Sequence, residues 1–347
     1  MKAARLYEYD PAMNVQLRIE DVPPPTIKAP DEVVVKVGAA GLCRTDLHII
    51  EGVWKDIMDT EGSLLPYTMG HENAGWVEDV GSAVRSVKPG DAVICHPLRT
   101  CGICLSCRYG EDMYCEHGAF PGLGLDGGFA EYFVTNERAI IKLGAGIQPL
   151  DVAPMADAGI TAYRVAKRAA KLLRPGATCV ILGVGGLGHI ALQSLKALSG
   201  CRIIAVDRHP AAQQLARELG ADKVFDGGPD VVEEVREATS GGAEVVIDFV
   251  GELGVENLTW RMARKGGQTF VVGYGGVVEV PTLDLVVNEI NVGGSLVGNY
   301  TELVELMELN ADGKVKMHYA RYDLADINTA LDDFKNRRFA GRGVIVP

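Results

Sequence analysis

One glycine-rich turn constrains the fold of this 347-residue chain more than any other feature. The apolar run "ATCVILG" predicts a buried strand, and "VGGLGHIALQSLKAL" behind it predicts a tight turn that leads into a helix. "CRIIAVD" and "PAAQQLARELGA" repeat the order of strand and helix, and "VVIDFV" and "QTFVVG" predict further strands. Strands that alternate with helices at this spacing indicate a parallel sheet covered by helices on both faces.

The turn has the spacing of a dinucleotide-binding fingerprint, with the glycines Gly183, Gly185, Gly186 and Gly188. In G-x-G-x-x-G the first glycine allows the tight turn, the second lets the backbone approach a pyrophosphate, and the third allows close helix packing. Asp207 ends the next strand, about 20 residues on, where a carboxylate can bind both ribose hydroxyls. Because that carboxylate repels a 2′-phosphate, we expect NAD rather than NADP, although Arg208 could accommodate the phosphate.

The pattern of apolar runs, glycines and prolines along the sequence divides the chain into two parts. Up to about residue 150, runs such as "EVVVKVGA", "DAVICHP" and "AEYFVTNERAIIKL" predict a β-rich domain. The α/β pattern begins near Pro154. After Gly298 the chain is helical again and closes with the strand-like "RGVIVP".

Composition and charge limit the partners. The chain is 47% hydrophobic and 23% charged, with a formal net charge of -12, which disfavours binding to nucleic acid. No apolar run approaches the ~20 residues that cross a membrane, and the start lacks the apolar core of a signal peptide. We therefore expect a cytoplasmic protein whose thiols stay reduced.

Half of the cysteines lie in "CGICLSCRYGEDMYC", at Cys101, Cys104, Cys107 and Cys115. Four thiolates this close in sequence suit a closed tetrahedral zinc site, and an iron–sulfur cluster is the alternative. A zinc ion held by four cysteines has no open position, so this site is expected to be structural.

A catalytic zinc needs about three protein ligands and one open position. Candidate donors and neighbouring groups occur in "GLCRTDLH", "MGHENAG" and "MADAGITAYR", as Cys43, Thr45, Asp46, His48, His71, Glu72 and Asp157. Each has an ordinary structural interpretation when taken alone, such as a buried thiol, a hydrogen-bonded histidine or a helix cap. Only their combination points to a metal.

In this order along the chain, these motifs resemble those of the zinc-containing medium-chain alcohol dehydrogenases of the NAD-dependent bacterial and archaeal type. The resemblance extends over essentially the whole chain and includes "KPGDAV", "GGFAEY" and "GRGVIVP". It implies a GroES-like β-rich catalytic domain over residues 1–155 and 298–347, with a Rossmann cofactor domain over residues 156–297.

The resemblance also implies a catalytic zinc site. Cys43 and His71 match its ligands, and Asp157 stands where many members have a cysteine. Glu72 matches a residue close to the zinc, and Asp46 matches a carboxylate that holds the ligand histidine.

The implied reaction is reversible hydride transfer between NAD and a zinc-bound alcohol, which is primary, secondary or aromatic. The proton would pass from the alcohol to Thr45, then to the nicotinamide ribose, then to His48, a surface histidine in the family, and from there to solvent. The residues that would contact the cofactor besides the turn are Arg44, Thr161, Val250, Val272, Val297 and Arg342. The resemblance further implies two zinc ions per chain. It also implies a homo-oligomer, either a tetramer or else a dimer.

Three other interpretations remain open. One is a polyol or amino-alcohol dehydrogenase of the same zinc branch. Another is a zinc-free reductase of the quinone type, although such proteins normally lack the Cys43, His71 and four-cysteine sets. The third is a zinc-ribbon module that binds nucleic acid or protein, which the negative charge and the dinucleotide fingerprint disfavour.

Overall fold

The structure is a computed structural model that describes residues 1–347. Its strands are β1 Lys2–Leu6, β2 Arg18–Asp21, β3 Glu32–Leu42, β4 Tyr67–Thr68, β5 Glu72–Val80, β6 Ala92–Cys95, β7 Tyr132–Asn136, β8 Ile140–Lys142, β9 Thr178–Leu182, β10 Arg202–Val206, β11 Lys223–Phe225, β12 Ala243–Asp248, β13 Ala263–Val271, β14 Asn291–Gly294, β15 Tyr319–Asp323 and β16 Arg342–Val346.

Helices occur in both parts of the chain and are mostly short. They are α1 Arg44–Ile50, α2 Lys55–Met58, α3 Leu105–Arg108, α4 Pro149–Val152, α5 Ala158–Ala170, α6 Gly188–Leu198, α7 Pro210–Glu218, α8 Val231–Ala238, α9 Thr259–Met262, α10 Thr282–Asn288, α11 Tyr300–Ala311 and α12 Ile327–Lys335.

The chain forms two compact units. The first comprises residues 1–158, 298–311 and 319–347, and the second comprises residues 159–297 and 312–318. The segment 312–318 therefore groups with the second unit, whereas the sequence pattern assigned it to the β-rich domain.

The second unit is built on a six-stranded sheet in the order β11-β10-β9-β12-β13-β14, with every neighbouring pair parallel. Counted along the chain from β9, this order is 3-2-1-4-5-6, that of a doubly wound dinucleotide fold. All five residues of β9 are buried, as expected for a strand covered on both faces. The predicted doubly wound parallel sheet is confirmed.

The first unit contains a seven-stranded sheet and a three-stranded sheet, the latter in the order β2-β1-β4. In the larger sheet the long strand β3 pairs antiparallel with β5, β7 and β16. The register sets Gly41 opposite Glu72, so the end of β3 lies beside the start of β5. This pairing brings the residues after β3 close to those before β5, which positions the site described below.

Each unit has its own apolar core. Buried valines and leucines of β3, α1 and β5 fill the first, and buried residues of β9, β10, β12 and α8 fill the second. Each fully buried side chain of this size stabilises the fold by about 1.5–3 kcal/mol before chain entropy is counted. None of the helices has the length and apolar character needed to span a membrane.

Candidate metal centres and cofactor-binding turn

Three donors of the first candidate metal centre come from the ends of secondary-structure elements. Cys43 follows β3 and precedes α1, and His71 directly precedes β5. Asp157 lies between a short 3₁₀ helix, Ala153–Ala156, and the start of α5. Because elements end here, these side chains are not committed to strand or helix packing and can converge on one point.

The donors do converge. One ligand atom each from Cys43, His71, Glu72 and Asp157 lies within 4.8 Å of all the others. The Nε2 atom of His71 is 3.6 Å from Asp157 Oδ2 and has no hydrogen-bond partner, although the ring is almost fully buried. An orphaned buried ring nitrogen facing a carboxylate and a thiol fits a metal ligand better than a histidine satisfied by the core.

Asp46 contacts two of these donor residues, His71 and Cys43, on the side away from the point where the donors meet. Its Oδ1 atom lies 3.3 Å from His71 Nδ1, and its Oδ2 atom accepts a 2.7 Å hydrogen bond from the Cys43 N–H. Asp46 is fully buried on the first turn of α1. One carboxylate therefore orients two of the three expected ligands.

The charges around His71 favour a cation. Burial lowers the pKa of His71, but the carboxylates of Asp46 and Asp157 raise it more, so that the pKa lies well above its ordinary value. The site thus attracts positive charge between His71, Asp157 and Cys43. Zinc supplies that charge in place of the proton, since metal binding requires a neutral imidazole. The residues present therefore fit zinc.

Glu72 is tied to the last strand instead of reaching freely toward the donors. Arg342 Nε donates a 3.0 Å hydrogen bond to Glu72 Oε2, and Arg342 Nη2 binds Glu72 Oε1. The N–H of Ala158 also donates to Oε1, at 3.1 Å. Gly41 makes room for the pair, because a Cβ there would lie 2.0 Å from Glu72 Oε2. Both partners are buried, so the pair is a structural clamp beside the site.

Three more predicted residues follow Cys43 on α1. Arg44 is exposed, Thr45 is half-buried, and His48 is buried. The expectation that His48 is a surface histidine is therefore wrong in this chain. Its neighbours Leu47 and Ile49 are buried too, because α1 packs into the apolar core of the first unit.

The four cysteines of the second candidate centre surround one point. The Sγ atoms of Cys101 and Cys115 are 3.6 Å apart, and the pairs Cys101–Cys107 and Cys104–Cys115 are each 4.0 Å apart. Four thiolates at about 2.3 Å from a tetrahedral zinc would be about 3.8 Å from one another. No cysteine is in a disulfide. The spacing fits a closed zinc site.

Backbone donors prepare part of this cluster for the thiolate form. The Cys104 N–H donates to Cys101 Sγ at 3.4 Å, and this bond, together with the Ile103 N–H and the neighbouring thiols, lowers the pKa of Cys101 to about 6. Burial instead raises the pKa of Cys107 to about 12. A cation is therefore needed to hold all four sulfurs as thiolates.

Asp112 fastens this lobe to the rest of the first unit. Its Oδ1 atom accepts from Arg138 Nη2 at 3.2 Å, and its Oδ2 atom accepts from the Tyr300 N–H at 3.0 Å. Sequence reasoning missed this buried residue because its partners lie far along the chain.

The glycine-rich turn has the geometry that its spacing predicts. Gly183 follows β9 with φ +85°, a conformation that favours glycine. A Cβ at Gly188 would lie 1.9 Å from the Gly183 oxygen, so only glycine lets α6 start this close to the strand. A Cβ at the exposed Gly185 would contact nothing within 4 Å. That open side is where a pyrophosphate would approach the N-terminus of α6.

Asp207 is held beside this turn. Its Oδ2 atom accepts a 2.8 Å hydrogen bond from the Val184 N–H, and its Oδ1 atom accepts a 2.9 Å bond from the His209 N–H. Arg208 turns to another loop, where its Nε donates to the Gly227 oxygen at 3.2 Å. The carboxylate is thus preorganised next to the turn.

Four further residues predicted to contact the cofactor lie in the second unit. Val250, Val272 and Val297 follow the carboxyl ends of β12, β13 and β14, and Thr161 is a buried residue of α5. Val297 has φ +42°, which a β-branched residue rarely adopts. Local strain of this kind is often kept at a binding site.

Two features of these sites escaped the sequence. The clamp between Glu72 and Arg342 joins residues 270 positions apart, and no local sequence pattern predicts it. His189, which follows the last glycine of the fingerprint, is not part of the fingerprint pattern, yet its ring contacts the turn itself.

Two family models match the chain. One, for the alcohol dehydrogenase GroES-like domain, matches residues 29–145, and one for zinc-binding dehydrogenases matches residues 186–312. These matches confirm the predicted combination of a GroES-like domain with a Rossmann domain.

Similar proteins cover the chain from end to end. The NAD-dependent alcohol dehydrogenase of Sulfurisphaera tokodaii is 36% identical over 355 residues, with all of both chains aligned. The crystal structure of the alcohol dehydrogenase from the hyperthermophilic archaeon Aeropyrum pernix matches all of both chains, with a TM-score of 0.95 and 45% identity. The D-arabinose 1-dehydrogenase (NADP(+)) of Saccharolobus solfataricus is 35% identical over 100% of this chain and 97% of its own.

Proposed function

Because this chain belongs to the zinc-containing medium-chain alcohol dehydrogenases, we propose that it transfers hydride reversibly between an alcohol and NAD. The observation that carries the proposal is the convergence of Cys43, His71 and Asp157 donors on one point. Three donors leave the open position that a catalytic zinc site requires.

The donor set suits its role. A zinc ion bound there would polarise the oxygen of the alcohol or carbonyl group. The thiolate of Cys43 and the carboxylate of Asp157 together balance a double positive charge, with His71 neutral. Asp157 is the partly exposed donor of the three, which supports its place on the side that substrate reaches.

Proton transfer is assigned to α1. The Thr45 hydroxyl, two residues after Cys43, both accepts and donates a hydrogen bond, so it can take the alcohol proton and pass it on. His48 lies one turn further along the same helix, and an imidazole ring can both accept and donate a proton. A hydroxyl of the nicotinamide ribose would connect Thr45 with His48. Because His48 is buried in this chain, the route from its ring to solvent must continue through a further group.

The second unit is assigned to the cofactor. The turn at Gly183, Gly185, Gly186 and Gly188 would bind the pyrophosphate, and Asp207 would bind the ribose hydroxyls of NAD. Arg44 is proposed to contact the pyrophosphate, and Thr161, Val250, Val272 and Val297 to line the nicotinamide side. The role at the pyrophosphate that the sequence predicted for Arg342 is not proposed, because this side chain is buried and paired with Glu72. Residues 1–155 and 298–347 would form the catalytic domain, and residues 156–297 the cofactor domain.

Metal counting tests this proposal. We expect two zinc ions per chain by plasma mass spectrometry, one of which is lost in Asp157→Ala together with alcohol oxidation. Asp151→Ala is the matched control, since Asp151 is an exposed carboxylate hydrogen-bonded to Tyr319. Full activity and full zinc content in Asp157→Ala would exclude Asp157 as a ligand. A chain without zinc that still reduces quinones would favour the zinc-free reductase.

A sugar or polyol substrate is the second candidate. The similarity to a D-arabinose 1-dehydrogenase (NADP(+)) favours it. Initial rates with NAD and NADP over primary, secondary and aromatic alcohols, polyols and aldoses separate the two. A preference for NADP with aldoses would replace our first proposal.

We also propose a cytoplasmic homo-oligomer, a tetramer or else a dimer. The support is the edge strand β14 and helix α10, which precedes it in the chain. Together with the residues just after β14 they expose Leu283, Val286, Val287, Val292 and Leu296. An exposed edge with apolar neighbours pairs readily with a second copy. Light scattering should give a smaller particle for Val286→Glu than for Ile57→Glu, a matched exposed residue of the first unit. A monomeric wild-type chain would exclude the oligomer.

A further inference from the structure

His189 is the first residue after the fingerprint glycines, and its ring makes two directed contacts. The Nδ1 atom lies 2.8 Å from the Gly185 oxygen, and the Nε2 atom lies 3.2 Å from the backbone nitrogen of His318. A carbonyl oxygen only accepts and an amide N–H only donates. The two contacts together therefore define a neutral imidazole with its hydrogen on Nδ1.

The contact to Gly185 controls a peptide that would otherwise turn easily. Gly185 and Gly186 flank this peptide, and glycine on both sides lowers the cost of rotating it. In a planar trans peptide the C=O and the N–H point in opposite directions. Holding the Gly185 oxygen toward His189, inside the first turn of α6, therefore points the Gly186 N–H out of the helix N-terminus. This is the direction from which such N–H groups bind a phosphate.

The imidazole is itself held in place by the segment 312–318. Gln193, one turn after His189 on α6, donates to the Lys316 oxygen at 2.9 Å and accepts from the Lys316 N–H at 2.9 Å. These bonds fix the backbone that leads to His318. The buried ring of His189 is therefore clamped between a fixed donor on one side and the turn on the other.

We propose that His189 is a positioning residue that locks the Gly185–Gly186 peptide in the orientation that presents the Gly186 N–H to the cofactor pyrophosphate. The proposal rests on the proposed dinucleotide function and adds to it a residue outside the glycine fingerprint. Main-chain bonding alone is a poor substitute, because the His189 N–H reaches the same oxygen only at 3.3 Å.

Matched variants separate the lock from simple packing. His189→Gln keeps an acceptor near Nε2 and loses the donor to Gly185, whereas His189→Asn keeps a donor near Nδ1. Gln193→Ala removes the bonds that fix segment 312–318 and so loosens the clamp on the His189 ring from its other side. His189→Ala, a second variant without the donor, serves if His189→Gln does not fold.

Binding of NADH is measured by fluorescence titration, and the kinetics give KM for NAD and kcat. We expect His189→Gln to raise the Kd and KM by about 3- to 10-fold without lowering kcat, the effect of one lost hydrogen bond. His189→Asn should stay within about twofold of wild type, and Gln193→Ala should weaken binding no more than His189→Gln does.

Three results would overturn the proposal. If His189→Gln bound NADH with wild-type affinity, the proposed role of His189 would be refuted, and the proposed function would be unaffected. Equal weakening in His189→Asn would mean that the residue only packs. A wild-type chain that binds neither NADH nor NADPH would refute the proposed function and the lock together.

Discussion

Asparagine in place of Asp248 should stabilise this protein more at pH 8 than at pH 5. Asp248 ends β12, is fully buried, and accepts hydrogen bonds on Oδ1 from the N–H groups of Val250 and Gly251, at 2.8 and 3.0 Å. Its Oδ2 atom has no hydrogen-bond partner. Burial raises the pKa of Asp248 to about 6 against the opposing effect of the two N–H donors, and the charge of Glu256 adds to the rise.

The size of the effect follows from linkage. A carboxyl whose pKa is raised on folding contributes stability at low pH, and this is lost as the pH rises through the folded pKa. The shift from 3.8 to about 6 corresponds to about 3 kcal/mol at about 1.36 kcal/mol per unit. About half of this loss falls between pH 5 and pH 8. Asparagine keeps an acceptor for Val250 and Gly251 and does not ionise, so it escapes the loss.

Urea unfolding of both proteins in zinc-containing buffer measures the difference. The stability of Asp248→Asn minus that of wild type should grow by about 1.5 kcal/mol from pH 5 to pH 8. Subtracting the two free energies of unfolding cancels the contributions of all titrating groups that the two proteins share. Glu256→Gln is the control, because removing that charge should reduce the pH dependence of wild type. A difference that is flat with pH, or that shrinks toward pH 8, would refute the reasoning.

Other substitutions test the sites. Gly41→Ala should displace Glu72 from its pairing with Arg342 and lower the free energy of unfolding by about 3 kcal/mol or more in a denaturation assay. The control is Gly144→Ala, whose added Cβ would make only an ordinary van der Waals contact, so its free energy of unfolding should be nearly unchanged. Cys104→Ser should reduce the zinc content by one ion per chain and lower the thermal midpoint; unchanged zinc would exclude the four-cysteine site. Asp207→Ser should reduce the NAD-to-NADP ratio of kcat/KM at least tenfold, and an unchanged ratio would show that this carboxylate does not select the cofactor.

Local patterns explain why much of the fold could be predicted. The alternation of strand and helix from "ATCVILG" onward reports burial and turn chemistry, and both depend on neighbours in sequence. The same holds for the glycine fingerprint and the four cysteines, since each set lies within a single turn or loop. For these features, spacing along the chain is nearly equivalent to spacing in space.

Contacts between residues that are distant in sequence were determined by the tertiary structure. Antiparallel pairing of β3 with β5 sets Cys43 beside His71, and the return of the chain as β16 brings Arg342 to Glu72. The burial of His48 and the tautomer of His189 depend on what packs around each ring. The sequence by itself determined the local chemistry: a dinucleotide turn, a cysteine-rich loop and a set of candidate ligands. Which of those groups face one another depends on sheet register and burial, which arise from contacts distant in sequence.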